Sequence, residues 1–168
     1  LLERKLVQRI GVSIYERNDL EGLPLDRLQI VQLPLSIYDQ RLLLDGTVNR
    51  LHSKGLSVHA RSVFLQGLVM SSAEQWPAFL SQNFRDHHEK WLQALQIHRC
   101  NALSAALAFI RQIDALEAVV VGVDGLEQLR DITNAWNCLY PPLTLLTSSE
   151  WAWRDVGDLD PRCWPSRC

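Results

Sequence analysis

Four apolar runs of this chain end in residues that can hold an anion or a polar ring. Ser13 follows IGV, Gln32 ends QIVQ, Arg61 and Ser62 follow VHA, and Gly122, Val123 and Asp124 follow VVV. A hydroxyl, an amide, a guanidinium and glycine-exposed backbone amides can together hold a flat polar ring joined to a diphosphate. Any one of them is a weak sign, because a buried Ser or Gln often only satisfies a backbone group. Arg61 carries the most weight. A guanidinium at a strand end is costly to bury unpaired, so an anion is expected beside it: a phosphate, or a carboxylate such as Asp39 or Asp124.

Other reactive residue types have plainer readings. His87 and His88 are adjacent, and neighbours on a helix diverge by about 100°, so they read as a solvated helix face and not as a metal site. His59, between Val58 and Ala60, reads as a hydrogen-bonded structural imidazole. Trp76, Phe79, Phe84 and Trp91 read as packing under a long connection, ahead of a substrate-pocket wall. Cys100, Cys138, Cys163 and Cys168 form no CxxC pair and are expected to be reduced thiols. No catalytic residue and no metal ligand is assigned.

The elements that must position the strand-end residues follow from periodicity. RIGVSIY (9–15), LQIVQLP (28–34), LSVHARSV (56–63) and AVVVGV (118–123) read as strands. LLLDGTVNRLHSKG reads as a helix closed by Gly55, and SSAEQWPAFL has a capping-box pattern at Ser71 and Glu74. NFRDHHEKWLQALQI is amphipathic, Asn101 can cap ALSAALAFIRQI, and GLEQLRDITNAW is again helical. Strand and helix alternating four times predict a parallel sheet with right-handed crossovers, an order that fits both the doubly wound fold and the eight-fold barrel. Ligands of such folds bind where the carboxyl ends of the strands converge. The four units cover 1–137, and a tail over 138–168 is expected to pack across the domain through Trp151, Trp153 and Trp164, with Thr147 and Glu150 as a second capping box.

With 47% hydrophobic and 21% charged residues, the 168-residue chain has the composition of one globular domain. A net charge of −2 gives no footprint for nucleic acid or an anionic membrane, and no apolar run spans a bilayer. A small-molecule ligand and a cytoplasmic location are expected. The chain starts at Leu1 and its one methionine is Met70, from which a longer parent chain is expected.

IGVSIY, DRLQIVQLPLSIYDQRLL, GLSVHARSVFLQGLV and AVVVGVDGLEQL resemble, in this order, the fifth to eighth strand motifs of the aldo/keto reductase family, over roughly residues 3–137. The resemblance implies the C-terminal half, strands five to eight with their helices, of a (β/α)8 TIM barrel. It also implies an oxidoreductase that reduces aldehydes and ketones by hydride transfer from NADPH or NADH. Ser13 and Gln32 then match the positions that hold the nicotinamide carboxamide, although Ile14 stands where the family usually has asparagine. Arg61 falls where many members lay an aromatic ring against the nicotinamide, and Ser62, Leu65, Gln66 and Gly67 match the segment wrapping the pyrophosphate. Gly122, Asp124 and Gln128 match the end of the eighth strand. Asp131 matches the acidic residue at the adenine edge, followed by Ile132 in place of asparagine. Asp124 repels a 2′-phosphate but can accept a hydrogen bond from a free ribose hydroxyl, which favours NADH.

The family's catalytic Asp, Tyr, Lys and His belong to its first four strands, so this chain alone is expected to be inactive. The alternative is a non-catalytic half-barrel, a scaffold or binding module that self-associates through its open sheet edges.

Overall fold

The computed structural model describes residues 1–138 and 149–165. Four strands, β1 (Gly11–Ser13), β2 (Ile30–Pro34), β3 (Ser57–Arg61) and β4 (Leu116–Val119), form one sheet in chain order, with every pairing parallel. The register sets Ser13 beside Gln32 and Gln32 beside His59, and Pro34 beside Arg61. β4 lies earlier than the sequence reading: it ends at Val119, so Gly122 to Asp124 follow the strand instead of closing it. β1 needs a glycine, since a Cβ on Gly11 would stand 2.3 Å from the carbonyl oxygen of Ile30.

Alternation decides what each sheet face meets. Val31, Leu33, Val58 and Ala60 are fully buried on the face covered by helices, whereas Gln32, His59 and Arg61 keep partial exposure on the other. The covering helices are α1 (Arg41–Leu44), α2 (Thr47–Ser53), α3 (Gln82–Ile97), α4 (Ala102–Arg111) and α5 (Leu126–Asn137). A short α6 (Val156–Leu159) lies in the C-terminal segment. The single helix expected over 42–55 is split into α1 and α2 by Gly46, whose φ of 77° breaks the helical run. Gly55 closes α2 in a Schellman motif: its N–H donates to His52 O (2.8 Å) and that of Leu56 to Leu51 O (3.2 Å).

After β1 the expected helix is absent; two 3₁₀ turns, Arg17–Leu20 and Leu25–Arg27, make the connection. The capping box at Ser71 and Glu74 does not form either. Ser72 precedes a 3₁₀ turn without a side-chain cap, and the Ser71 hydroxyl accepts from Trp76 Nε1 instead. Ser81 caps α3 and Asn101 caps α4, accepting from the N–H groups of Phe84 (3.2 Å) and Ser104 (2.7 Å).

Trp76, Phe84 and Trp91 join the core, but Phe79 is 43% exposed. Trp151 is buried with its ring 5.3 Å from that of Trp91, and Trp153 stacks on Phe84 at 5.1 Å. Tyr140 to Leu146, Thr147 and Cys168 lie outside the described residues. Among the described residues, Cys100, Cys138 and Cys163 are free thiols, and no helix is long and apolar enough to cross a membrane.

Candidate functional site

The parallel register gathers Ser13 at the carboxyl end of β1, Arg61 and Ser62 at that of β3, and Gln32, which lies in the middle of β2 and not at its end as the sequence reading had it. Ser13 Oγ donates to Gln32 Oε1 (3.3 Å), and Arg61 donates to Ser13 Oγ (3.3 Å), Ser62 Oγ (3.2 Å) and the carbonyl of Ile14 (3.0 Å). These acceptors are all neutral. Of the carboxylates expected beside Arg61, Asp39 lines the same small space but binds Arg41 through two contacts of 2.8 and 2.9 Å, and Asp124 is exposed beyond β4. Among the described residues no carboxylate lies within 4.0 Å of Arg61. Its guanidinium lies 4.1 Å above the ring of Tyr15, a planar contact the sequence reading did not assign. The signal was available, since Tyr15 stands two residues beyond Ser13.

Beyond Arg61 the backbone turns sharply. Ser62, Leu65 and Gln66 hold φ of 60°, 44° and 56°, and Gly67 follows at 88°. Left-handed non-glycine residues are uncommon and cost on the order of 1–3 kcal/mol each, a concentration of strain that clusters at ligand clamps. Leu65 shares a small enclosed space with Arg61 and Ser62, while Gln66 and Gly67 face a separate cleft of about 740 Å³ walled by Phe79, Arg162 and Trp164. Ser13, Gln32, Arg61 and Ser62 thus form one polar rim from which the turn leads to the neighbouring cleft, and Asp39 and Asp160 line the same small space as Arg61 while making their ion pairs with Arg41 and Arg162.

Gly122, Asp124, Gln128 and Asp131 do not join this rim. The Asp124 N–H donates to Gln128 Oε1 (2.7 Å), a local turn ahead of α5, and Asp131 lines a cleft of about 530 Å³ with Asn101, Ser104 and Met70.

At the opposite end of the open face, Arg9 donates to Glu117 (2.7 Å) and to Ser57 (3.0 Å), and Ser57 donates to Glu117. Hydrogen bonds from Ser57 and Arg9 hold the Glu117 carboxyl well below its ordinary value. His59 departs from the sequence reading: its Nε2 is 3.6 Å from Glu117, too long for a hydrogen bond, and has no partner among the described residues.

His88 also departs from it. Instead of a solvated position it is fully buried, with Nδ1 2.6 Å from the Tyr38 hydroxyl and Nε2 2.7 Å from the carbonyl of Ser71. A carbonyl only accepts, so Nε2 carries the proton and Nδ1 accepts from Tyr38. Burial pushes His88 below and Tyr38 above their ordinary values, so both stay neutral. His87 approaches the carbonyl of Trp151 at 3.0 Å.

No family model matches the chain, and no curated protein matches it. Solved structures do. It is similar to the aldo-keto reductase AKR11C1 from Bacillus halodurans in its holo form, at 18% identity and TM-score 0.69, over 85% of this chain and 49% of that one. The apo form of the same protein gives 18% identity and TM-score 0.70 over 86% and 50%. A thermostable aldo-keto reductase, Tm1743, in complex with the inhibitor epalrestat gives 19% identity and TM-score 0.60 over 86% and 48%. The chain spans about half the length of these structures. At this identity the likeness establishes the fold: four parallel strands, the last three followed by α-helices, matching half of an aldo-keto reductase barrel.

Proposed function

We propose that this chain is the cofactor-binding C-terminal half of an aldo/keto reductase barrel, an oxidoreductase that reduces a small carbonyl compound with a nicotinamide dinucleotide in the cytoplasm. The observation that carries this reading is Arg61: a strand-end cation without a carboxylate partner, bonded to Ser13 and next to a strained turn, in a sheet with this fold. Ser13 and Gln32 present a hydroxyl and an amide that can meet a carboxamide, and the Ser62 to Gly67 turn can follow a pyrophosphate. When bound, the dinucleotide supplies the hydride. The chain's own residues bind and orient it, and we assign none of them as the acid that protonates the carbonyl oxygen.

Asp124 stands just ahead of α5 and is bonded to Gln128 in its first turn, and a carboxylate there favours a free ribose hydroxyl over a phosphate dianion, so NADH is the preferred form. Titration with NADH should quench tryptophan fluorescence, and Asp124→Arg should move the preference toward NADPH. Absence of a response to either dinucleotide would remove this reading.

A second reading has its own support. β1 and β4 are both sheet edges, and exposed apolar residues gather beside them: Leu6 ahead of β1, then Val120, Leu126 and Leu129 beyond β4. A non-catalytic half-barrel that pairs with a second copy would cover both edges. Light scattering tests it: a stable monomer at high concentration would exclude self-pairing.

A further inference from the structure

Residues 149–165 are tied to the body most firmly before they reach Arg61. The Trp153 N–H donates to Tyr38 O (2.8 Å), and the buried carboxylate of Asp158 accepts from Ser81 N–H (2.9 Å), Ser81 Oγ (2.6 Å) and Trp153 Nε1 (2.9 Å). Beyond Asp158 the segment crosses the strand-end rim. Leu159, Asp160 and Pro161 close over Asp39, Arg41, Arg61, Ser62 and Leu65, leaving a space with room for at most one water. On the far side of Pro161 and Arg162 lies the cleft of about 740 Å³ bordered by Gln66 and Gly67.

The anchoring of this crossing differs from that of the stretch before it. Asp160 is buried and binds Arg162 at 2.7 Å, but both belong to the crossing itself, so that ion pair moves with it. Its ties to the body are the buried Leu159 side chain, the attraction between Asp160 and Arg41 across the small space they both line, the Arg162 guanidinium 3.8 Å over Tyr15 and the contact of Trp164 with Phe79 at 5.5 Å. Arg162 therefore stacks on the same ring as Arg61, and the Asp160 carboxylate stands at the rim where an incoming anion would have to pass.

We propose that Leu159 to Arg162 form an autoinhibitory strap over the Arg61 rim, with Asp160 as an internal carboxylate in the path of the ligand's anion. The ligand enters by displacing the strap, which joins the rim to the neighbouring cleft. This rests on the dinucleotide reading of the rim and adds its regulation.

Trypsin and NADH test it on the full chain. The Arg162–Cys163 bond ends the strap, so saturating NADH should speed cleavage there about tenfold while cleavage after the exposed Lys54, at the end of α2, stays unchanged. Leu159→Ala, which loosens the strap, should tighten NADH binding about fivefold and speed cleavage at Arg162 without ligand. Asp160→Asn keeps the apolar anchor and should also tighten binding, which guards against a Leu159 variant that fails to fold. If NADH binds the wild type while cleavage at Arg162 and the affinities of both variants stay the same, the strap proposal falls and the dinucleotide reading stands. If NADH binds neither the wild type nor the variants, both fall.

Discussion

Two polar clusters on either side of the sheet use similar groups to opposite ends. On the covered side, Tyr38, His88 and Ser71 form a dry relay with contacts of 2.6 and 2.7 Å, each nitrogen of the imidazole matched to one partner. On the open side, Ser13, Gln32 and Arg61 meet at 3.3 Å, half-exposed, with a positive charge whose direct contacts are neutral oxygens and a tyrosine ring. Short, buried and fully matched contacts hold a fold together. Long contacts around a charge without a direct ion pair leave a cluster able to exchange its partners for a ligand.

The largest effect should come from breaking the covered cluster. His88→Ala strands the Tyr38 hydroxyl and the Ser71 carbonyl in the core and should cost about 3 kcal/mol in chemical denaturation. Next comes acid. His88 is held neutral below its ordinary value, so the unfolded chain binds more protons beneath about pH 6.5. Its contribution to stability is complete above that pH and is lost as the pH falls through the folded value. Thermal melts should therefore decline from pH 6.5 downward, and His88→Gln should flatten the decline.

The open cluster should behave in the reverse way. Arg61→Ala should leave the melting temperature nearly unchanged and weaken NADH binding by about 1 kcal/mol or more in a fluorescence titration. A large loss of stability without a change in affinity would erase the distinction between the clusters. The smallest effect belongs to the far end of the same face. There Arg9 meets Glu117 in an exposed pair, and Glu117→Gln should lower the melting temperature slightly, a loss that about 1 M salt also produces in the parent chain, with no change in NADH binding.

The strands and the order of β/α units were legible because alternation and helical spacing are local. β4 was misplaced toward Val120 to Val123 because a continuous apolar run carries no mark of which residues pair; the bulge between Val58 and His59 in the β3–β4 register decides that. The helix after β1 failed for a related reason, since Asp19 accepts from the N–H groups of Tyr15 and Glu16 and holds a turn instead. Of the candidate rim, Ser13, Gln32, Arg61 and Ser62 could be named from the strands alone. Tyr15, two residues beyond Ser13, was within reach of the same reasoning, whereas the crossing at Asp160 was not, because its partners lie far away in the sequence.

The sequence by itself determined that the chain folds into parallel β/α units whose strands carry Ser13, Gln32 and Arg61, since side-chain period and residue type are properties of neighbours along the chain. Only the tertiary structure decided that His88 is buried, that Asp39 pairs with Arg41 and not with Arg61, and that Leu159 to Pro161 close the rim. Electrostatic pairing and burial depend on distance in space, and the segment that closes the rim follows Arg61 by nearly a hundred positions.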